Sequence, residues 1–140
     1  MRGMATIEEA LNTLLLATSS ITALVGTGAA ARIFPLRIPQ DAARPALAYQ
    51  KISSPKTHSH SGSSNLARSR FQFTVQAATY TSAKALATAV RNALIGYRGT
   101  VSGVRIDGIL IEDDNDGDIE IQSNEVLPYV RLDAAIWHSE

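Results

Sequence analysis

Residues 70–94 read RFQFTVQAATYTSAKALATAVRNAL, and a change of period inside that stretch decides the fold. Phe71, Phe73, Val75 and Ala77 alternate with Arg70, Gln72, Thr74 and Gln76. A period of two means a strand with one buried and one polar face. The period then becomes helical. Ala83, Leu86, Ala87, Val90 and Leu94 share one side, and Lys84, Thr88, Arg91 and Asn92 the other. With Thr81 or Ser82 as cap, and Gly96 and Gly99 as terminators, this predicts a helix over about 81–95. A half-buried strand feeding an amphipathic helix implies helices packed on a sheet.

The rest of the chain reads outward from there. Thr6 followed by Glu9 is a capping-box signature, and Ile7, Leu11, Leu14 and Leu15 give an N-terminal helix its apolar stripe. Ser20 is placed to cap one more turn (Ile21, Leu24, Val25) ended by Gly26 and Gly28. Strands are predicted over 31–36, 46–52, 70–77, 104–111 and about 126–138. Pro35, Pro39 and Pro45 point the first two towards edge positions or strand starts. Asp107-Gly108 could form a tight turn, but the flanking runs are short, and one strand with a bulge fits better. Composition signals mobile loops over about 53–65, rich in serine, and 113–125, rich in acid. The expected fold is a single α+β domain over 1–140. A mostly antiparallel sheet of four to five strands is packed by the N-terminal helix and the helix at 81–95.

The formal charge is zero by cancellation. Ala10–Ile106 holds eleven Lys/Arg and one acid, Asp41, for +10, whereas Asp107–Glu140 holds ten acids and one base, Arg131, for −9. No cysteine is present, which excludes disulfides, thiolate metal sites and cysteine nucleophiles. No apolar run is long enough for a spanning helix, so no membrane partner is expected. The stretch Leu14–Ala31 imitates a signal peptide, but Glu8 and Glu9 sit where such a peptide carries positive charge.

Each chemical constellation has a plainer reading. Glu112, Asp114 and Asp116 before Gly117 match the first, third and fifth positions of a calcium loop, but Ser123 stands where a bidentate Glu is required. A solvated hairpin loop, or a docking surface for a basic partner, fits better. His58 and His60 could supply two metal ligands with only His138 as a third, which leaves no expected metal or cofactor. Alternation sends Phe71 and Phe73 away from Arg68 and Arg70, so the rings belong to the core and not to a base-stacking platform. No nucleophile elbow or phosphate loop occurs, and the expectation is a protein without catalytic residues. In the last strand Val130, Leu132, Ala134 and Ile136 form one face and Tyr129, Arg131, Asp133 and Trp137 the other. That second face is either covered by a helix or part of a subunit interface.

The order of phrases along the chain resembles one family. The phrases are Leu24-Val25-Gly26, Arg32-Ile33-Phe34-Pro35, Pro45 to Ile52 around Tyr49, and His60-Ser61-Gly62 before Leu66-Ala67-Arg68. Ala78-Thr79-Tyr80-Thr81-Ser82-Ala83 follows, then Leu86-Ala87, Val90-Arg91-Asn92-Ala93-Leu94, Gly99-Thr100-Val101 and Gly103-Val104. Ile111-Glu112-Asp113-Asp114 and Trp137-His138 close the series. In this order they resemble the tail completion, or tail terminator, proteins of long-tailed bacteriophages and gene transfer agents. The resemblance implies a non-enzymatic virion protein of the tail and neck, assembled in the host bacterial cytoplasm. It implies a ring, typically of six subunits, that ends the tail tube at its head-proximal end. Its implied partners are further copies of itself, the tube protein, a head-completion or neck protein, and genomic DNA passing through the lumen without sequence-specific binding. The alternatives are a neck or head-closure connector and, in another class, a calcium- or nucleic-acid-binding module.

A ring needs a patch on one copy that meets a different patch on the next. Candidates are the basic Arg37, Arg44, Arg68 and Arg70, the acidic Asp113, Asp114, Asp116 and Asp118, and the aromatic face of Tyr129, Arg131 and Trp137.

Overall fold

The structure is a computed structural model and describes residues 6–28, 31–39, 43–53, 56–59, 62–121 and 125–139. The chain opens with helices α1 (Ile7–Ala17) and α2 (Ser19–Val25). Strands β1 (Ile33–Pro35), β2 (Ala46–Ser53), β3 (Lys56–Ser59) and β4 (Gly62–Gln76) follow. Helix α3 (Tyr80–Leu94) then leads to β5 (Gly99–Val101), β6 (Val104–Ile121) and β7 (Glu125–Ser139).

The capping box at α1 forms as its residues require. Glu9 N–H donates to Thr6 Oγ1 at 3.2 Å, and Thr6 N–H to Glu9 Oε1 at 2.9 Å. The cap of α2 is not Ser20. The helix starts at Ser19 with Thr18 as its N-cap residue, and the Thr18 hydroxyl donates back to Leu14 O at 2.9 Å, which joins the two helices. The α3 cap likewise lies earlier than predicted. Thr79 is extended and accepts from Ser82 N–H at 3.1 Å, leaving Thr81 and Ser82 inside the first turn. The five α3 residues expected on one face, Ala83, Leu86, Ala87, Val90 and Leu94, are all buried.

The sheet is α+β as expected but has seven strands, in the order β1-β2-β4-β7-β6-β5, with β3 also paired to β4. Among the described strands only β1 and β2 pair in parallel. The two strands beyond the expected five are β3 and β5. Both are short, and neither carries the apolar alternation that marks a strand in a sequence. The two segments read as loops are drawn into ladders. Lys56–Ser59 pairs with Gly62–Ala67, and Asp113–Ile121 pairs with Glu125–Asp133. The bulge expected near Asp107-Gly108 is present, as a register shift between Ile106 and Gly108. A second shift lies between Ile111 and Asp113.

All three helices lie on the sheet face that carries Leu47, Tyr49, Phe71, Phe73, Val75, Val130, Leu132, Ala134 and Ile136. Phe71 and Phe73 are essentially inaccessible, with ring centroids 6.3 Å apart. Burying each such ring stabilises the fold by roughly 1.5–3 kcal/mol. The opposite face has no helix over it among the described residues, and there Tyr129, Arg131, Asp133 and Trp137 are half-buried. Of the two covers expected for that face, helix packing is therefore not the one used.

Candidate interaction surface

The open face is assembled by register. Across β4 and β7, Arg68 lies opposite Trp137, Arg70 opposite Ala135, Gln72 opposite Asp133, Thr74 opposite Arg131 and Gln76 opposite Tyr129. Across β7 and β6 the same row continues as Ala135 with Leu110, Asp133 with Asp113, Arg131 with Asn115, and Tyr129 with Gly117. The shift at Ile111–Asp113 leaves Glu112 out of the pairing. Its carboxylate reaches across β7 to Arg68 Nη2 at 2.8 Å and Arg70 Nε at 3.5 Å. It passes over the smallest side chain in the row, Ala135. The Arg68 guanidinium also sits 5.3 Å from the centre of the Trp137 ring. These are part-exposed pairs, worth ~0.2–1 kcal/mol each, so their role is to fix the side chains in place.

Further along the same face, Arg131 lies 4.4 Å from the Tyr129 ring centre. Tyr129 in turn lies on Gly117, where an added Cβ would stand 2.6 Å from the ring. Gly117 is thus the seat of an aromatic ring and not the turn glycine of an ion loop. Arg131 Nε is buried without a hydrogen-bond partner. Gln72 Nε2 donates to Asp133 Oδ1 at 3.4 Å, and Arg44 donates through Nε and Nη2 to Gln76 Oε1 at 3.2 and 3.0 Å.

The acidic run is divided between the two faces. Asp113 belongs to the open face. Asp114 and Asp116, opposite Leu132 and Val130, belong to the helix side. Asp116 accepts from the Tyr80 hydroxyl at 2.5 Å and lies 3.4 Å from Lys84 Nζ, which ties the hairpin to the start of α3. The Tyr80 hydrogen bond, with help from Lys84 and against a smaller desolvation effect, holds the Asp116 carboxyl below its ordinary value. The same bond, seconded by desolvation and by the charge of Asp116, raises Tyr80. For Lys84, desolvation lowers the pKa but is outweighed by Asp116, and the net direction is upward. Asp114 lines a cleft with Lys84, Ala87, Thr88 and Arg91 over a floor of Val130 and Leu132.

The structure therefore gathers Arg68, Arg70 and Trp137 around Glu112, and Tyr129 with Arg131, on one face. Arg44 stands at the Gln76 end of β4, and Arg37 is exposed beyond β1. Asp118 lies in β6 opposite Pro128, with its side chain outside the described residues. Three participants escaped the sequence reading: Glu112 as the partner of two arginines, and Tyr80 and Lys84 as partners of Asp116. Arg68 and Arg70 two residues apart did signal a doubled cation on one face. Their acid depends on a bulge that residue types do not announce.

A calcium loop must wrap round its ion, whereas 112–117 is extended strand, with Glu112 and Asp113 on the open face and Asp114 and Asp116 on the helix side. Among the described residues no cluster of three His, Asp or Glu could hold a metal. The side chain of His58, and His60 altogether, fall outside those residues. His138 is buried, with Ser69 Oγ 2.7 Å from Nε2 and the Ser139 carbonyl 2.7 Å from Nδ1. A carbonyl only accepts, so Nδ1 donates to it, and Nε2 shares the second hydrogen bond with the Ser69 hydroxyl. Among the described residues no helix is long and apolar enough to cross a membrane.

The family model for tail completion protein gp17 matches residues 9–119. A chain in the solved virion of a native gene transfer agent particle shares the fold, with a TM-score of 0.72 at 21% identity over 95% of each chain. No curated protein matches. With four-fifths of its length matched, the chain belongs to the tail completion protein gp17 family and is a structural component of the virion tail, not an enzyme.

Proposed function

We propose that copies of this chain close into a ring, of six subunits as the family resemblance implies, on the head-proximal end of the tail tube. The ring stops tube polymerisation and presents a surface to the head-completion or neck protein, and the genome passes through it without sequence-specific contacts. A joint of this kind must touch different partners at its two ends. The observation that carries the reading is the pair of hairpins at opposite ends of the sheet. At one end β4 continues from Leu66, its last partner of β7, back to Gly62, paired only with β3. At the other end β6 and β7 run on past Gln76, the last β4 residue in the ladder, from Asp118–Pro128 to Ile121–Glu125. Each extension is about four residues, or ~13 Å at strand rise. The first carries Lys56 and His58 without an acid, and the second Asp118, Glu120 and Glu125 without a base. One subunit thus offers chemically opposite tips to an upper and a lower partner.

Electron microscopy of the purified protein, alone and with tail tubes, tests the proposal. Rings seated on one end of each tube, with tube length fixed once they are bound, are the expected result. Tubes that continue to grow with no ring at either end would overturn it. Rings that bind a head connector and ignore tubes would identify a neck protein instead.

A further inference from the structure

The sheet ends on two bare backbone edges. On one side β5 covers β6 only at Val104–Ile106, and the Gly96 N–H takes the Ile109 carbonyl. From Leu110 to Ile121 β6 has no outer strand among the described residues. On the other side β1 covers β2 only at Leu47–Tyr49, and the Leu36 N–H takes the Tyr49 carbonyl. Gln50–Ser53 and then β3 have no outer strand among the described residues. Edges of this length are templates for another chain.

Three features say which chain. The β6 strand carries Glu112, Asp113, Asp114, Asp116, Asp118 and Glu120 and no base; Glu112 is held by Arg68 and Arg70 and Asp116 by Lys84, and two such edges repel each other through the remaining acids. The β2–β3 edge carries Lys51 and Lys56 and no acid of its own, although Lys51 Nζ lies 3.3 Å from Glu8 of α1, and Arg37 lies beyond β1. Apolar exposure follows the same division. Leu36 (68% exposed) and Ile52 (49%) flank the basic edge, and Ile95 (47%) and Leu110 (50%) flank the acidic one. Leu36 also holds a left-handed backbone (φ 71°) beside a hollow lined by Pro35, Arg37, Ile38 and Pro39. A bulky residue is uncommon in that conformation. Finally, β2 opposes β4, β4 opposes β7 and β7 opposes β6, so β2 and β6 run in opposite directions. Successive copies placed side by side in one orientation bring β6 against β2 as an antiparallel pair.

We infer that the Leu110–Gly117 edge of one copy adds onto the edge formed by Gln50–Ser53 and β3 of the next, so that the sheets join into one continuous belt round the ring. The inference rests on the ring reading above and supplies its lateral contact. Antiparallel pairing sets the Asp114–Gly117 end of one copy against Gln50–Ser53 and the Leu36 hollow of its neighbour, and the Leu110 end against β3.

The absence of cysteine makes the test direct. Gln50 and Asn115 are both exposed, and by register both belong to the open face. In rings assembled on tubes, Gln50→Cys mixed with Asn115→Cys is expected to give a disulfide-linked dimer. The double variant is expected to give a ladder of bands ending at the ring size, and Asn115→Cys alone none. Asp113→Cys in place of Asn115→Cys covers a two-residue slip of register. Where a cysteine hinders assembly, hydrogen exchange of the unmodified protein decides. Amides in 110–117 and 50–53 are expected to gain at least tenfold protection on ring formation. Rings that form with neither cross-link nor protection, or with only Asn115–Asn115 linkage, overturn the edge pairing alone. Failure of the unmodified protein to form rings overturns the ring reading as well.

Discussion

Single residues decide whether buried polarity is tolerated. Ser69 is fully buried with its hydroxyl 2.7 Å from His138 Nε2, so Ser69→Ala removes a buried hydrogen bond. Loss of about 1–3 kcal/mol is expected, read from urea denaturation, and Ser69→Thr should recover part of it. At the helix cap, Thr79→Ala removes the acceptor of the Ser82 amide and should cost about 1 kcal/mol. The exposed Tyr80–Asp116–Lys84 group instead gives a pH signature. Asp116 is depressed from 3.8 on folding, so its contribution is complete above that value and is lost as pH falls through the lower folded one. Tyr80 and Lys84 are raised from 10.0 and 10.5, so theirs is complete below those values and lost as pH rises through the folded ones. Melting temperatures of wild type and Asp116→Asn should differ slightly at neutral pH and converge at the acid end. A difference that persists in strong acid would show that the carboxylate is not the source.

At the scale of elements, legibility in the sequence followed burial. The core side of β4 and the buried side of α3 could be read because each buries one face and leaves the other wet, which imprints a period on the residues. The hairpin extensions left no such imprint. A two-stranded ribbon with solvent on both sides satisfies its backbone whatever its side chains, so Lys56–Ser59 and Asp113–Ile121 read as loop although they are strand. The interaction surface was half legible for the same kind of reason. Spacing put Arg68 with Arg70 on one face of their strand and Tyr129, Arg131 and Trp137 on one face of theirs, but that these faces are the same depends on the pairing of β4 with β7. The Glu112 crossing depends on a bulge, and the Tyr80–Lys84–Asp116 contact on a helix and a hairpin some thirty residues apart in the chain meeting in space. Helix packing is itself open to test. Leu86→Ala on the buried face of α3 should cost about 2–5 kcal/mol, against less than ~0.5 kcal/mol for the exposed Thr88→Ala.

For the whole molecule, the +10 and −9 segments are sorted by the fold into different places without being fully neutralised within it. Some charges are paired internally, Arg68 and Arg70 with Glu112 and Lys84 with Asp116. The acidic β6 edge and the basic β2–β3 edge are separated by the width of the sheet. Association driven by these edges should weaken with salt, because the screening length falls from ~8 Å at physiological ionic strength to ~3 Å at 1 M. Reversal of Asp113, Asp114 and Asp116 to Lys should slow ring formation and remove or invert its salt dependence, measured by light scattering across a salt series. Unchanged assembly and salt response would show that these charges play no part.

The order in which the strands are made has a consequence for how a subunit comes into being. The middle of the sheet is β7, which holds β4 on one side and β6 on the other. It follows both β4 and β6 in the chain and so leaves the ribosome after them. Until it arrives, β4 and β6 share no neighbour, and Phe71 and Phe73 lack the strand that lies beside theirs. A nascent chain therefore gains its core in one late step, by pairing residues some sixty positions apart, which is a slow class of contact to close. Chains cut short before residue 125 would lack the central strand, and the β1–β4 part of the sheet would have nothing to join it to β5 and β6.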